Sequence, residues 1–239
     1  LRVIADQLDI RVQIHLHETL GEIERSVRET GKRPFARLAD LGLINRSLIA
    51  VHAVHMNDDE IAQMSDKGVS VAHCPKSNLK LASGIAPITS YREAGVRVSL
   101  GTDSAASNNS LDMLGELQAA ALLARARSDC ASAITASEAL RLGTLDGAAA
   151  LGLDNEIGSI ETGKAADLIS VDLARINTQP VYDPISAIAF AARADQVRDV
   201  WIAGRHLLEN GELTHMNVTR ILARSNEWRD RIANQTGRP

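Results

Sequence analysis

Five of the seven histidines fall between residues 15 and 73. His15, His52 and His73 each close a short β-branched run, and Asp103 follows a fourth such run. Imidazole and carboxylate are donors to hard-to-borderline divalent cations, so this pattern supports metal coordination. A lone histidine at a strand end is more often structural. Three of them, with an aspartate, at successive strand ends weigh the other way.

Each motif admits a particular role. In His15-Leu16-His17-Glu18, strand alternation points His15 and His17 the same way. Glu18, just past the strand, could fold over a metal as a proton shuttle, or lie in a surface loop. In His52-Ala53-Val54-His55, His52 is the better site candidate and His55 a loop residue. His73-Cys74-Pro75 lacks the second Cys or His pair of a zinc knuckle. Cys74 has no evident base beside it, which argues against a nucleophile. Ser77 and Asn78 could bind a polar substrate or only shape their loop. A carboxylate such as Asp103 at the end of a buried strand is costly unless paired or metal-bound. Its alternative is a helix N-cap, a role that Ser107 or Asn108 could fill instead.

The elements that must carry these residues read as α/β. The runs 10–15 (IRVQIH), 47–52 (SLIAVH), 68–73 (GVSVAH) and 96–101 (VRVSLG) have the unbroken apolar texture of parallel strands buried on both faces. Helical sequence lies between them at 21–30, 34–41, 58–67 and 85–94, with Asn57 or Asp58 as an N-cap and Gly68 as a stop. Such alternation implies right-handed crossovers. Four units fit half of a (β/α)8 barrel or part of a doubly wound sheet. Both architectures place active sites at the carboxyl ends of the strands. The nucleotide-binding version lacks a G-x-G-x-x-G or Walker loop.

Stretches 111–126 and 136–151 are expected to be helical. The texture then changes to short strands at 165–172, 197–202 and 205–208, with turns at Ala203-Gly204 and Glu209-Asn210-Gly211, and an amphipathic helix at 218–232. The expected division is a barrel half over 1–152 (strands five to eight with flanking helices), a β-sandwich portion over 153–215 and a C-terminal helix over 216–239. The chain begins with Leu1 and what reads as strand sequence, so it is expected to be the C-terminal part of a longer protein.

Composition narrows the function. A net charge of −4 and a pI near 6.0 argue against nucleic acid or an anionic membrane surface. Hydrophobic content of 45% with 23% charged residues excludes general disorder. Aromatics at 3% leave the core to Leu, Ile, Val and Ala. Two cysteines make no disulfide framework, which suits a reducing cytoplasm. The start has no signal-peptide pattern, and no apolar run is long enough to span a bilayer. Homo-oligomerisation is left open.

The segments HLHET (15–19), VHAVHMN (51–57), HCPKSNLKLASGIAP (73–87), GTDSAASNNSLDML (101–114) and GSIETGKAADLISVD (158–172) together resemble the amidohydrolase superfamily. The resemblance is to its 5-methylthioadenosine/S-adenosylhomocysteine deaminase branch, grouped with the triazine hydrolases. It implies the second half of a metal-dependent (β/α)8 barrel with a small appended β-sandwich portion. The implied metal ligands are His15 and Asp103, and the implied cofactor is one divalent metal: zinc, with Fe(II) or Mn(II) as alternatives. Glu18 would be the acid/base, His52 would stabilise the developing charge, and Asp103 would accept a proton from water. Glu18 and Asp103 would also contact substrate, with Ser77 and Asn78. The expected reaction is hydrolytic deamination of an adenosine-type nucleoside. The alternatives are triazine or other purine and pyrimidine hydrolysis, or an inactive fragment. The family's first-strand H-x-H ligands have no counterpart here, because the H-x-H at 15–17 lies on a later strand and precedes Glu18. The 239 residues alone are therefore expected to be inactive and poorly soluble, with two open sheet edges.

Overall fold

A computed structural model of the chain describes residues 2–236. Its contacts divide into two units. The larger runs to Lys164 and resumes over Leu173–Gln196, and the smaller takes Ala165–Asp172 and the chain from Val197 onward.

In the larger unit, β1 (Val12–Leu16), β2 (Leu48–His52), β3 (Ser70–His73) and β4 (Arg97–Leu100) form one parallel sheet in chain order. Every residue of β2 is buried, as expected for a parallel strand covered on both faces. The register sets Leu16 beside His52 and His73 beside Leu100, so the strand ends that carry the polar residues lie along one rim.

Helices Leu20–Thr30 and Pro34–Asp40 connect β1 to β2, and Asp58–Lys67 connects β2 to β3. The latter has reciprocal capping bonds between Asn57 and Glu60, and it stops at Gly68 in the left-handed region, which favours glycine. The core is built from Leu48, Ala50, Ile61, Val71, Val98 and Leu142 and their aliphatic neighbours, with Phe35 and Tyr91 as its aromatics.

Some local expectations are corrected. The segment read as a strand is a helix, Arg2–Leu8, in which Arg2, Ala5, Gln7 and Leu8 and an Arg2–Asp6 pair at i,i+4 outweigh the β-branched Val3 and Ile4. The stretch 136–151 is two helices, Ala136–Leu142 and Leu145–Leu151, broken where Thr144 leaves helical geometry at φ −127°, ψ −100°. Pro75–Lys80 is a short helix where a loop is expected, opened by Pro75 at its first position.

In the smaller unit, β5 (Leu168–Val171), β6 (Val197–Ile202), β7 (Arg205–Glu209) and β8 (Glu212–Leu213) form an antiparallel sheet. Both hairpins have two-residue turns with positive φ throughout: Ala203-Gly204 at 49° and 75°, Asn210-Gly211 at 50° and 85°. These are the expected turns, whose twist matches the strands. Trp201 stacks on its cross-strand partner His206 with ring centroids 4.5 Å apart. Helix Val218–Thr236 follows. Residue 1 and residues 237–239 of the expected terminal segment lie outside the described residues. No helix among the described residues is long and apolar enough to cross a membrane.

One glycine of the larger unit is held by packing. Gly158 has φ +92°, and a Cβ there would sit 2.6 Å from Ala148 Cβ and 3.1 Å from Leu145 Cα. Gly163 has a similar φ of +97° but open space around it. Gly158→Ala is therefore expected to cost about 2–4 kcal/mol, from backbone strain plus overpacking, and Gly163→Ala only the strain. Urea midpoints of the two variants check this; equal losses would show that packing at Gly158 is irrelevant.

Candidate active site

The rim is shaped by backbone turns that leave the strands abruptly. His17, His52, Ala53 and Asp103 all have positive φ, at 51°, 68°, 46° and 58°. Such conformations cost about 1–3 kcal/mol each and persist only where the surroundings over-determine them. The surroundings do so here. The His17 carbonyl accepts from the backbone N–H groups of Val54 and His55, both at 3.1 Å. The buried Tyr91 hydroxyl donates to the Ala53 carbonyl at 2.5 Å. Glu22, in the first turn of its helix, accepts from the N–H groups of His17 (3.2 Å) and Glu18 (2.8 Å).

These turns bring three candidates together. Ligand atoms of His15, Glu18 and His52 all lie within 4.8 Å of one another. The His52 ring meets the His15 ring edge-on, with centroids 4.8 Å apart. His52 Nδ1 is 2.8 Å from Asn78 Oδ1, so Nδ1 carries the proton when that oxygen accepts. Nε2 then bears the lone pair. It is buried, has no hydrogen-bond partner, and faces Glu18 Oε2 at 3.7 Å. Ser83 Oγ donates to Glu18 Oε1 at 3.3 Å.

Asp103 is half-buried and lies outside that trio. Its Oδ2 accepts from Ser77 Oγ at 2.7 Å and from Ser107 Oγ. Burial pushes its carboxyl upward, but the bonds from Ser107 and Ser77, the Ser104 backbone and nearby His52 outweigh it, so the pKa lies below the ordinary value. Ser77 and Asn78 are both fully buried, with polar atoms directed at Asp103 and His52.

Other motif residues take structural places. His17 does not share a side with His15: β1 ends at Leu16, and His17 turns inward to full burial. Its Nε2 accepts from the Phe35 N–H at 3.2 Å, and Nδ1 lies 3.5 Å from Glu60 Oε2. Arg33 donates to both Glu60 oxygens, at 2.7 and 2.8 Å, and to the His55 carbonyl at 2.7 Å. His55 Nε2 is 2.7 Å from the Ser83 carbonyl. Burial, with His52 nearby, lowers the His73 pKa to about 3 and keeps that ring neutral. Burial pushes the Cys74 thiol up to about 12, consistent with no nucleophilic role.

The sequence reading does not single out Ser83, Glu60 or Glu116. For Glu60 a signal exists, the Asn57-x-x-Glu60 capping pattern. For Glu116 it is weaker: one acid in an Ala/Leu-rich helix, wholly buried.

The chain matches the amidohydrolase family over residues 1–207, and it belongs to that family. It is 45% identical to a 5-methylthioadenosine/S-adenosylhomocysteine deaminase from Teredinibacter turnerae over 97% of this chain and 52% of that protein. A zinc-bound crystal structure named as an adenosine deaminase from Xanthomonas campestris superposes with a TM-score of 0.95 at 49% identity, over 98% of this chain and 53% of that one. An atrazine chlorohydrolase from Arthrobacter aurescens, solved with zinc, superposes with a TM-score of 0.88 at 30% identity, over 94% and 49% of the two chains. The chain thus spans about half the length of the proteins it matches. Its parallel sheet is part of the family's (β/α)8 barrel, accompanied by antiparallel strands.

Proposed function

We propose that this chain supplies the acid/base and charge-stabilising half of a metal-dependent deaminase of adenosine-type nucleosides, 5-methylthioadenosine and S-adenosylhomocysteine in particular. The single observation that carries the chemistry is the convergence of His15, Glu18 and His52, with the buried His52 Nε2 unpartnered among them. Two imidazoles and a carboxylate are a donor set suited to a divalent cation, and an orphaned buried lone pair suits one too. The naming of the 45% relative and the zinc in the 49% neighbour favour the deaminase reading and zinc. His15 from that cluster and Asp103 from outside it would hold the ion, with Glu18 and His52 facing it as acid/base and charge stabiliser. When bound, a divalent metal lowers the pKa of its water to about 7 and so provides hydroxide at neutral pH.

The chain's own groups then divide the work. Asp103, kept ionised by Ser77 and Ser107, accepts a proton from the attacking water. Glu18 delivers a proton to the ring nitrogen beside C6, which makes that carbon electrophilic. His52, its orientation fixed by Asn78 at Nδ1, stabilises the charge that develops on the attacking oxygen in its doubly protonated form, with Nε2–H as the donor. Asp103 passes its proton on to the amino group, the C–N bond breaks to release ammonia, and the C6 hydroxyl becomes a carbonyl as its proton returns to Glu18. The substrate is a small molecule, and the free thiols Cys74 and Cys130 suit a reducing cytoplasm.

The atrazine chlorohydrolase likeness favours a second reading, displacement of chloride from a triazine. The two separate in one assay on the protein expressed over its complete reading frame. Ammonia and chloride release are measured against 5-methylthioadenosine, S-adenosylhomocysteine and atrazine, with metal analysis of the same sample. Ammonia from the nucleosides with one divalent metal per chain is expected. Chloride release alone, or no bound metal, would overturn the proposal.

A further inference from the structure

Glu116 is a fully buried carboxylate with no part in the chemistry above. It lies in the first turn of helix Met113–Ser128, and its two oxygens reach different segments. Oε2 accepts from the Lys76 backbone N–H at 3.1 Å, on the segment that follows β3. Oε1 accepts from Asn108 Nδ2 at 2.7 Å, on the segment that follows β4, and the same Nδ2 donates to the Thr102 carbonyl at 2.7 Å.

The residues next to these contact points are the supports of the site. Lys76 precedes Ser77, which donates to Asp103, and Asn78, which orients His52. Thr102 precedes Asp103 itself, and Asn108 follows Ser107, the second donor to Asp103. Asp103 is held at φ +58°, a conformation that persists only where its surroundings over-determine it. Water cannot replace a lost partner at a fully buried carboxylate.

We infer that Glu116 is a positioning residue: one carboxylate locks the segments after β3 and β4 in a single register, and so aims His52 and Asp103. This rests on the reading of those two residues as site groups.

The test uses Glu116→Gln, Asn108→Ala and the double variant. Glutamine keeps the shape, but its amide nitrogen must face either the Lys76 N–H or the Asn108 amide, donor against donor. Zinc affinity is measured by competition with a chromophoric chelator, kcat and KM on fully zinc-loaded protein, and amide exchange across residues 73–78 and 102–108. Each single variant is expected to weaken zinc binding tenfold or more, to lower kcat more than it raises KM, and to speed exchange in both segments. The double variant should be little worse than either single one, because one linkage is being cut twice. A lower Tm with zinc affinity, kcat and segment exchange all unchanged would make Glu116 merely structural and would overturn the inference, as would strictly additive losses. A parent protein that binds zinc but deaminates nothing would sink the functional reading alone. Zinc affinity and exchange would then still decide the role of Glu116.

Discussion

Glu18→Gln is expected to retain the bound metal and to lower nucleoside deamination at least about a hundredfold, since a positioned general acid–base group contributes roughly 10²–10⁴-fold. Glutamine preserves the size of the side chain and its bond from Ser83. It cannot deliver a proton. Asp103→Asn should differ, losing metal affinity as well as turnover. The geometry makes the contrast informative, because Glu18 also lies within ligand reach of His15 and His52. Metal content and ammonia release on the same samples separate the roles. A Gln variant that loses its metal would make Glu18 a ligand, and one with near-normal turnover would remove it from proton transfer.

The ion pair of half-buried Arg33 with buried Glu60 should contribute to the acid sensitivity. Burial pushes the Glu60 carboxyl upward, but His17, Arg33 and the Asn57 N–H prevail and bring its pKa from 4.5 to about 2. Its folded value lies below the unfolded one, so the stabilisation is complete above about pH 4.5 and is lost as pH falls toward 2. A depression of this size corresponds to roughly 3 kcal/mol. Glu60→Gln is expected to lower unfolding free energy by about that amount near neutrality, and the gap to the parent protein should close on acidification. Urea unfolding at several pH values between neutrality and pH 3 measures this. A pH-independent gap would mean that lost capping and packing, rather than charge, account for the effect.

Part of this arrangement is legible in the chain itself. The four parallel strands announce themselves because burial on both faces demands unbroken apolar runs, and His52, His73 and Asp103 stand at or just past their ends. Alternation then misleads at His17, since it assumes that the strand continues where the backbone has already turned to φ +51°. The helices Pro75–Lys80 and Ala105–Asn108 are too short for a 3.6-residue period to register. The bonds that aim the site are longer-range still. Glu116 meets a residue 40 positions away, and Ser77 one 26 positions away. No local pattern encodes such pairs; they exist only once the crossovers have brought the segments after β3 and β4 side by side.

The aliphatic core and the polar rim are written in different residues. Leu, Ile, Val and Ala hold the sheet and its helices, while aim and charge at the rim come from Asn78, Ser77, Ser107 and Glu116. One such division of labour is compatible with the two different chemistries named for the proteins on which this chain superposes.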